Sequence, residues 1–147
     1  MKNESNFESG QNLKLVISLT RALQSINRKE APIIASGGLS FAQFGVLEFL
    51  YHKGAQTIKN IITKTLSSGG NMTVVINNLE KLNYIKRETN PSDKRSNLVD
   101  LTHSGRSVIA KLFPIHEKNL ERILSHLSSK DKEELILLCK KLGKGIV

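Results

Sequence analysis

Asn71, Thr73, Val74, Asn77, Asn78 and Lys81 fall on one side of a helix if residues 69–81 are helical, because Met72, Val75, Ile76 and Leu79 then take the other side. Carboxamide and hydroxyl groups offer both hydrogen-bond donors and acceptors, the chemistry that distinguishes one base edge from another in a groove of duplex nucleic acid. An ordinary surface helix would carry more Glu–Lys pairs. A second group stands at "NPSDKRSN", residues 90–97. Pro91, Ser92 and Asp93 are turn formers there, and they push Lys94 and Arg95 to the tip of a hairpin. Arg95 is expected to enter a minor groove, where the negative potential is strongest, with Asp93 two residues earlier holding Arg95 or the turn.

Charge supports a polyanionic partner. The chain carries a net +9, and the middle third holds most of the excess: residues 51–95 have eight Lys and Arg against three acids. Lys59, Lys64, Lys86, Arg87 and Lys94 are the candidates for phosphate contact. Catalysis finds little to work with. His52, His103, His116 and His126 form no pair four residues apart, and no HExxH, phosphate loop, G-x-S-x-G or close carboxylate pair occurs. The expectation is a protein that is not an enzyme and that needs no cofactor or metal.

The single cysteine, Cys139, excludes an internal disulfide and a Cys-based zinc site, and it fits a reducing cytoplasm. Among leucines on a helix it reads as a small core residue. No apolar run approaches the ~18 residues of a spanning helix, and the polar start "MKNESNFESGQN" lacks the apolar region of a secretory signal. At 147 residues one domain is expected, with a core of Leu, Ile and Val.

The elements that must position these residues are mainly helical. Val16, Leu19, Leu23 and Ile26, with Leu15 and Ala22, predict a helix over about 12–30, ended by Pro32 and "SGG". Ser40 with Gln43 forms a capping box, and Leu39 with Phe44 a hydrophobic staple, so a second helix starts near 40 and closes at Gly54. A short third helix runs from Thr57 to about Thr65 with Ile58, Ile61 and Ile62 inward. A Ser/Gly-rich turn, Ser67 to Gly70, then feeds the polar-faced helix, whose apolar side includes Leu82. Short helix, tight turn and longer helix make a helix-turn-helix. Ser67, Ser68 and Asn71 stand at the end that meets DNA. The hairpin over 84–102 supplies a wing, so residues 39–103 form a winged helix-turn-helix. Thr102 caps a fifth helix, with an apolar series from Val108 through Ile115 to Leu127 and a bend near Pro114. Ser128 and Asp131 cap a last one bearing Leu135, Leu138, Cys139 and Leu142.

The terminal helices, 12–30 and 104–145, carry apolar stripes that the winged unit does not need. A homodimer in which they intertwine is the reading that gives them a purpose.

With these elements placed, "SSGGNMTVVINNLEKLNYIKRETNPSDKRSNLVDLTHSG" resembles the MarR family of bacterial transcriptional regulators. The resemblance rests on Ser68 and Gly69 at the turn, Thr73, Leu79 and Glu80 in the recognition helix, Asp93, Lys94 and Arg95 in the wing, and Leu101, Thr102 and Gly105 after it. It implies a homodimer on a palindromic operator, usually repressing transcription, with a small phenolic or other aromatic effector, or oxidation, changing the separation of the recognition helices. Half-sites lie one turn apart, roughly 34 Å, so a small displacement loses contacts on both. An effector pocket would lie between the terminal helices and the winged unit, near His52, Phe41, Phe44 and Tyr51. Two departures matter. Val74 stands where many members have arginine, and no cysteine occupies the first helix, where hydroperoxide-sensing members carry theirs. The same architecture, without DNA, would also serve a protein interaction module that binds an acidic partner.

Overall fold

The computed structural model describes residues 2–65 and 69–145, with side chains from residue 10 onward apart from those of 69–70. The described elements are, in order, α1 (Lys2–Ser36), α2 (Phe41–Lys53), β1 (Gln56–Thr57), α3 (Ile58–Lys64), α4 (Gly69–Lys81), β2 (Ile85–Thr89), β3 (Asn97–Leu101), α5 (His103–Ile123) and α6 (Ser129–Gly145). The fold is mainly helical with a small antiparallel sheet.

Local signals account for most boundaries. Ser40 Oγ accepts from Gln43 N at 3.2 Å while Gln43 Oε1 accepts from Ser40 N at 2.8 Å. That reciprocal cap is worth ~1 kcal/mol, and both staple residues, Leu39 and Phe44, are buried. Gly54 closes α2 at φ +71° with its N–H on Leu50 O. Thr57 caps α3, and of its isoleucines Ile61 is fully buried while Ile58 and Ile62 are half-buried.

The first helix departs from expectation at both ends, running over 2–36 rather than 12–30. Pro32 lies inside it. Near the C-terminal end of the helix this proline forfeits one backbone bond, and the chain breaks instead at Gly37 and Gly38, the latter at φ +71°. The fifth helix likewise runs through Pro114 but stops at Ile123, so Leu127 sits in the turn before α6.

One strand was not anticipated. Gln56 and Thr57 pair with Val99 and Leu98, which makes the hairpin part of a three-stranded sheet of order β1-β3-β2. In the hairpin itself Ile85 faces Leu101, Arg87 faces Val99 and Thr89 faces Asn97.

The core lies within the winged unit and its junction with α5. Val46, Leu47, Leu50, Ile61, Met72, Ile76, Leu79, Ile85, Val99 and Ile109 are almost wholly buried, each such side chain contributing ~1.5–3 kcal/mol. The outer helices are different. Leu13, Leu15, Val16 and Leu23 of α1 and Leu135, Ile136, Leu137, Leu138 and Leu142 of α6 are 43–66% exposed, and α6 buries none of its residues. Cys139 is exposed rather than in a core, because α6 packs no face into this chain. It lines, with Leu15, Leu19, Leu135, Leu138 and Leu142, an apolar cleft of about 580 Å³ between α1 and α6. Ile115 and Leu82, expected inward, are 54% and 48% exposed. Leu82 leaves the apolar stripe because α4 has already ended at Lys81.

Candidate nucleic-acid interface

Helix α4 divides as its periodicity requires. Met72, Val75, Ile76 and Leu79 are buried, while Asn71, Thr73, Val74, Asn77, Asn78 and Lys81 are exposed along the opposite face. Ser67 and Ser68, expected at the start of this interface, lie outside the described residues. The far end is sharply defined. Asn83 takes φ +57°, its N–H bonds to Glu80 O at 2.9 Å, and Tyr84 N bonds to Leu79 O at 3.0 Å. This is the Schellman arrangement, with asparagine tolerated in the left-handed position.

The wing tip is a set of locked turns. Asn90 Oδ1 accepts from Ser92 N at 3.0 Å, and Asn90 Nδ2 donates to Ser96 Oγ at 3.0 Å. Asp93 Oδ1 accepts from the Arg95 backbone N–H at 3.0 Å and from its Nε at 3.3 Å. Asp93 thus holds both the turn and the guanidinium, while the Arg95 side chain remains 92% exposed. A charge-assisted contact restrains the arginine's approach without covering it, so less rotamer entropy is lost when it meets a ligand. Lys94 is exposed beside it.

The other cations divide by strand face. Lys59 and Lys64 are exposed on α3. Lys86 points outward and pairs with Glu88 at 2.5 Å, whose carboxylate, by hydrogen bond first and charge second, raises the Lys86 pKa. Arg87 takes the other face, shared with buried Ile85, because strand side chains alternate. It therefore reaches α4: Nη2 donates to Asn77 Oδ1. Its Nε lies 3.2 Å from Glu80 Oε2, an ion pair outside hydrogen-bond alignment. Its charge made Arg87 a candidate for phosphate; its side chain turns toward the recognition helix. Its β2 position two residues after Ile85 was the available signal.

A further cluster went unforeseen. Glu30 of α1 is 2% exposed, and its carboxylate bonds to His116 Nδ1 and Asn119 Nδ2 of α5. Arg122 donates to Asn119 Oδ1 at 2.8 Å. Ile26, Glu30 and Ile34 are four apart, and Ile109, Leu112, His116 and Asn119 follow one stripe, so helical spacing could have placed these polar residues inward. His116 also packs at a tilt against Phe44, centroids 4.8 Å apart, and His52 meets Phe113 edge-on at 4.7 Å. Of the aromatics expected near an effector, Phe44 belongs to the core, Tyr51 packs against it, and Phe41 is 44% exposed.

A short helix and a polar-faced second helix, followed by a braced hairpin with an arginine at its tip, define a winged helix-turn-helix DNA-binding protein. Residues 37–96 match the model of the MarR family. The HTH-type transcriptional regulator YkoM of Bacillus subtilis (strain 168) is 36% identical over 141 residues, 96% of this chain and 90% of that protein. The chain belongs to the MarR family of transcriptional regulators. Among solved structures, Sco3205, a MarR family regulator from Streptomyces coelicolor in complex with DNA, shares the fold, with a TM-score of 0.83 at 18% identity over 92% of this chain and 88% of that one. BpsR of Bordetella bronchiseptica, whose DNA binding is regulated by 6-hydroxynicotinic acid, has a TM-score of 0.78 at 25% identity, covering 88% of this chain and 98% of that one. No single described helix is long and apolar enough to cross a membrane.

Proposed function

We propose that this protein is a cytoplasmic, homodimeric repressor that binds a palindromic operator and is released by a small aromatic ligand. The observation that carries the reading is the presence, in one winged unit, of an exposed polar face on α4 and a restrained, exposed Arg95 at the wing tip. One suits a major groove and the other a minor groove. Asn71, Thr73, Val74 and Asn77 are the major-groove candidates, with Ser67 and Ser68 preceding them. Lys59, Lys64 and Lys94 face phosphates. Residues 39–103 act as the DNA-binding unit and the terminal helices as the dimer unit. The exposed leucines of α1 and α6 support that division, since an apolar surface of this extent marks an interface. The ligand control of BpsR supports an aromatic effector.

The test is selection of bound fragments from random duplex DNA at near-physiological salt. Enrichment of an inverted repeat with half-sites about one helical turn apart is expected, and the enriched duplex then serves to screen phenols and other aromatic acids for release. Binding that ignores sequence would refute the reading and leave a basic surface for an acidic protein partner.

A further inference from the structure

Arg87 occupies an unusual place for a cation in a DNA-binding unit. It is on the inner face of β2, its side chain is only 28% exposed, and it is engaged at both ends of its guanidinium by α4, through Asn77 Oδ1 and Glu80 Oε2. Phosphate contact would require it to give up a carboxylate and an amide one turn apart on the same helix. Asn77, by contrast, is exposed on the α4 face that carries Thr73 and Val74 one turn earlier.

The direction of the Asn77 amide follows from chemistry. A guanidinium has five N–H donors and no acceptor, so only the oxygen end of a carboxamide can face it. Oxygen and nitrogen project to opposite sides of the planar amide. With Oδ1 drawn toward β2 by Arg87, Nδ2 is the end turned away from the wing. The Glu80 carboxylate lies 3.2 Å from the Arg87 Nε and holds the guanidinium charge beside α4.

We propose that Arg87 is a positioning residue for base recognition: by holding Asn77 Oδ1 it makes Asn77 present its Nδ2 hydrogens alone, and Asn77 thereby selects guanine. An asparagine that reads adenine uses both ends of its amide, nitrogen to N7 and oxygen to N6. Asn77 already accepts from Arg87 with one lone pair of its oxygen, which turns the oxygen that bidentate adenine reading needs toward β2. Guanine offers two adjacent acceptors, O6 and N7, to a lone donor group. This inference rests on the sequence-specific duplex binding proposed above.

The experiment repeats the duplex selection with wild type, Asn77→Ala, Asn77→Asp, Arg87→Met and Arg87→Lys at one salt concentration, with folding checked by circular dichroism. Wild type is expected to enrich guanine at one position of each half-site. Asn77→Ala loses preference there and nowhere else. Arg87→Met, with Asn77 intact, relaxes the same position at least fivefold and readmits adenine, leaving the other positions unchanged. Asn77→Asp keeps the bond to Arg87 but presents an acceptor, and moves the preference to cytosine, whose N4 donates. Arg87→Lys, which retains a charge but not the fork, gives an intermediate loss and serves where Arg87→Met is unfolded. Three results would overturn the proposal: preference at every position surviving Asn77→Ala; Arg87→Met weakening all duplexes equally with a shallower salt dependence, as a phosphate contact would; or adenine at the Asn77 position in wild type. If wild type enriches nothing, the functional reading fails together with this one, whereas an enriched repeat indifferent to Asn77 and Arg87 removes this one alone.

Discussion

Replacing Gly105 and Gly45 by alanine should move stability in opposite directions, although both glycines lie in helices. Alanine is favoured over glycine by ~1 kcal/mol in a helix interior. At Gly45, in α2, an added Cβ meets nothing within 4 Å, so that gain should be realised. At Gly105, in the first turn of α5, the Cβ would stand 2.7 Å from the Tyr84 carbonyl carbon and 3.0 Å from its Cα, with the Tyr84 oxygen nearer still. Carbon atoms pack at ~3.5–4.0 Å, so backbone must move by roughly 1 Å, and no rotamer change can help. That movement disturbs the bonds that join the winged unit to α5: Thr102 N to Tyr84 O at 3.0 Å, Thr102 Oγ1 to Asn83 O at 2.6 Å and Gly105 N to Thr102 Oγ1 at 3.0 Å. Overpacking costs ~1–3 kcal/mol, and one weakened hydrogen bond ~1 kcal/mol more. Less the propensity gain, Gly105→Ala should destabilise by about 1–3 kcal/mol. At about 2–4 °C per kcal/mol for a chain of this size, the midpoint should fall by about 2–12 °C. Gly45→Ala should raise it by about 2–4 °C. The assay is thermal circular dichroism at 222 nm at equal protein concentration, since a dimer melts in a concentration-dependent way. A Gly105→Ala midpoint at or above wild type would refute the claim that this joint is closed to a methyl group.

Arg95→Ala should weaken operator binding by at least ~1 kcal/mol per wing, the lower end for a good base contact, and Asp93→Ala by less, because it loosens the arginine without removing it; fluorescence anisotropy at fixed salt would show either, and unchanged affinity for Arg95→Ala would remove the wing from recognition. Leu138→Glu should leave the winged unit folded, since Leu138 is 63% exposed in the single chain, yet it should weaken self-association at least about a hundredfold by burying an unpaired carboxylate between subunits. Sedimentation showing an unaltered dimer would exclude α6 from the interface. The Asp131 carboxylate accepts from Ser128 Oγ at 2.6 Å and Ser128 N at 2.8 Å, and these bonds, the hydroxyl's first, lower its pKa below the usual carboxylate range. Its folded value lies below its unfolded one, so the cap's contribution is full above the unfolded pKa and is lost as pH falls through the folded value. Carboxyl chemical shifts followed through acid pH should show Asp131 titrating late, and titration at or above the ordinary range would contradict the cap.

Much of this protein is written in short-range chemistry. The Ser40–Gln43 box, the Thr57 and Thr102 caps, the Ser128–Asp131 pair and the apolar stripe of Met72, Val75, Ile76 and Leu79 each act within one or two helical turns, where sequence spacing and geometry are the same thing. Turn chemistry likewise determines the wing, because Asn90, Asp93 and Ser96 bond among themselves. What the sequence could not decide are the relations between elements. Arg87 and Asn77 are ten residues apart, and Glu30 and His116 eighty-six; nothing local says they meet. The two-residue β1 exists only because β3 offers an edge to pair with. Cys139 misled for the converse reason: a leucine-rich stripe states that a face is apolar but not which chain covers it, and only the packed structure shows α6 standing clear of its own core. Strand alternation faced Arg87 inward, but the partner that gives this meaning, the amide of Asn77, was supplied by the packing of α4 on the sheet.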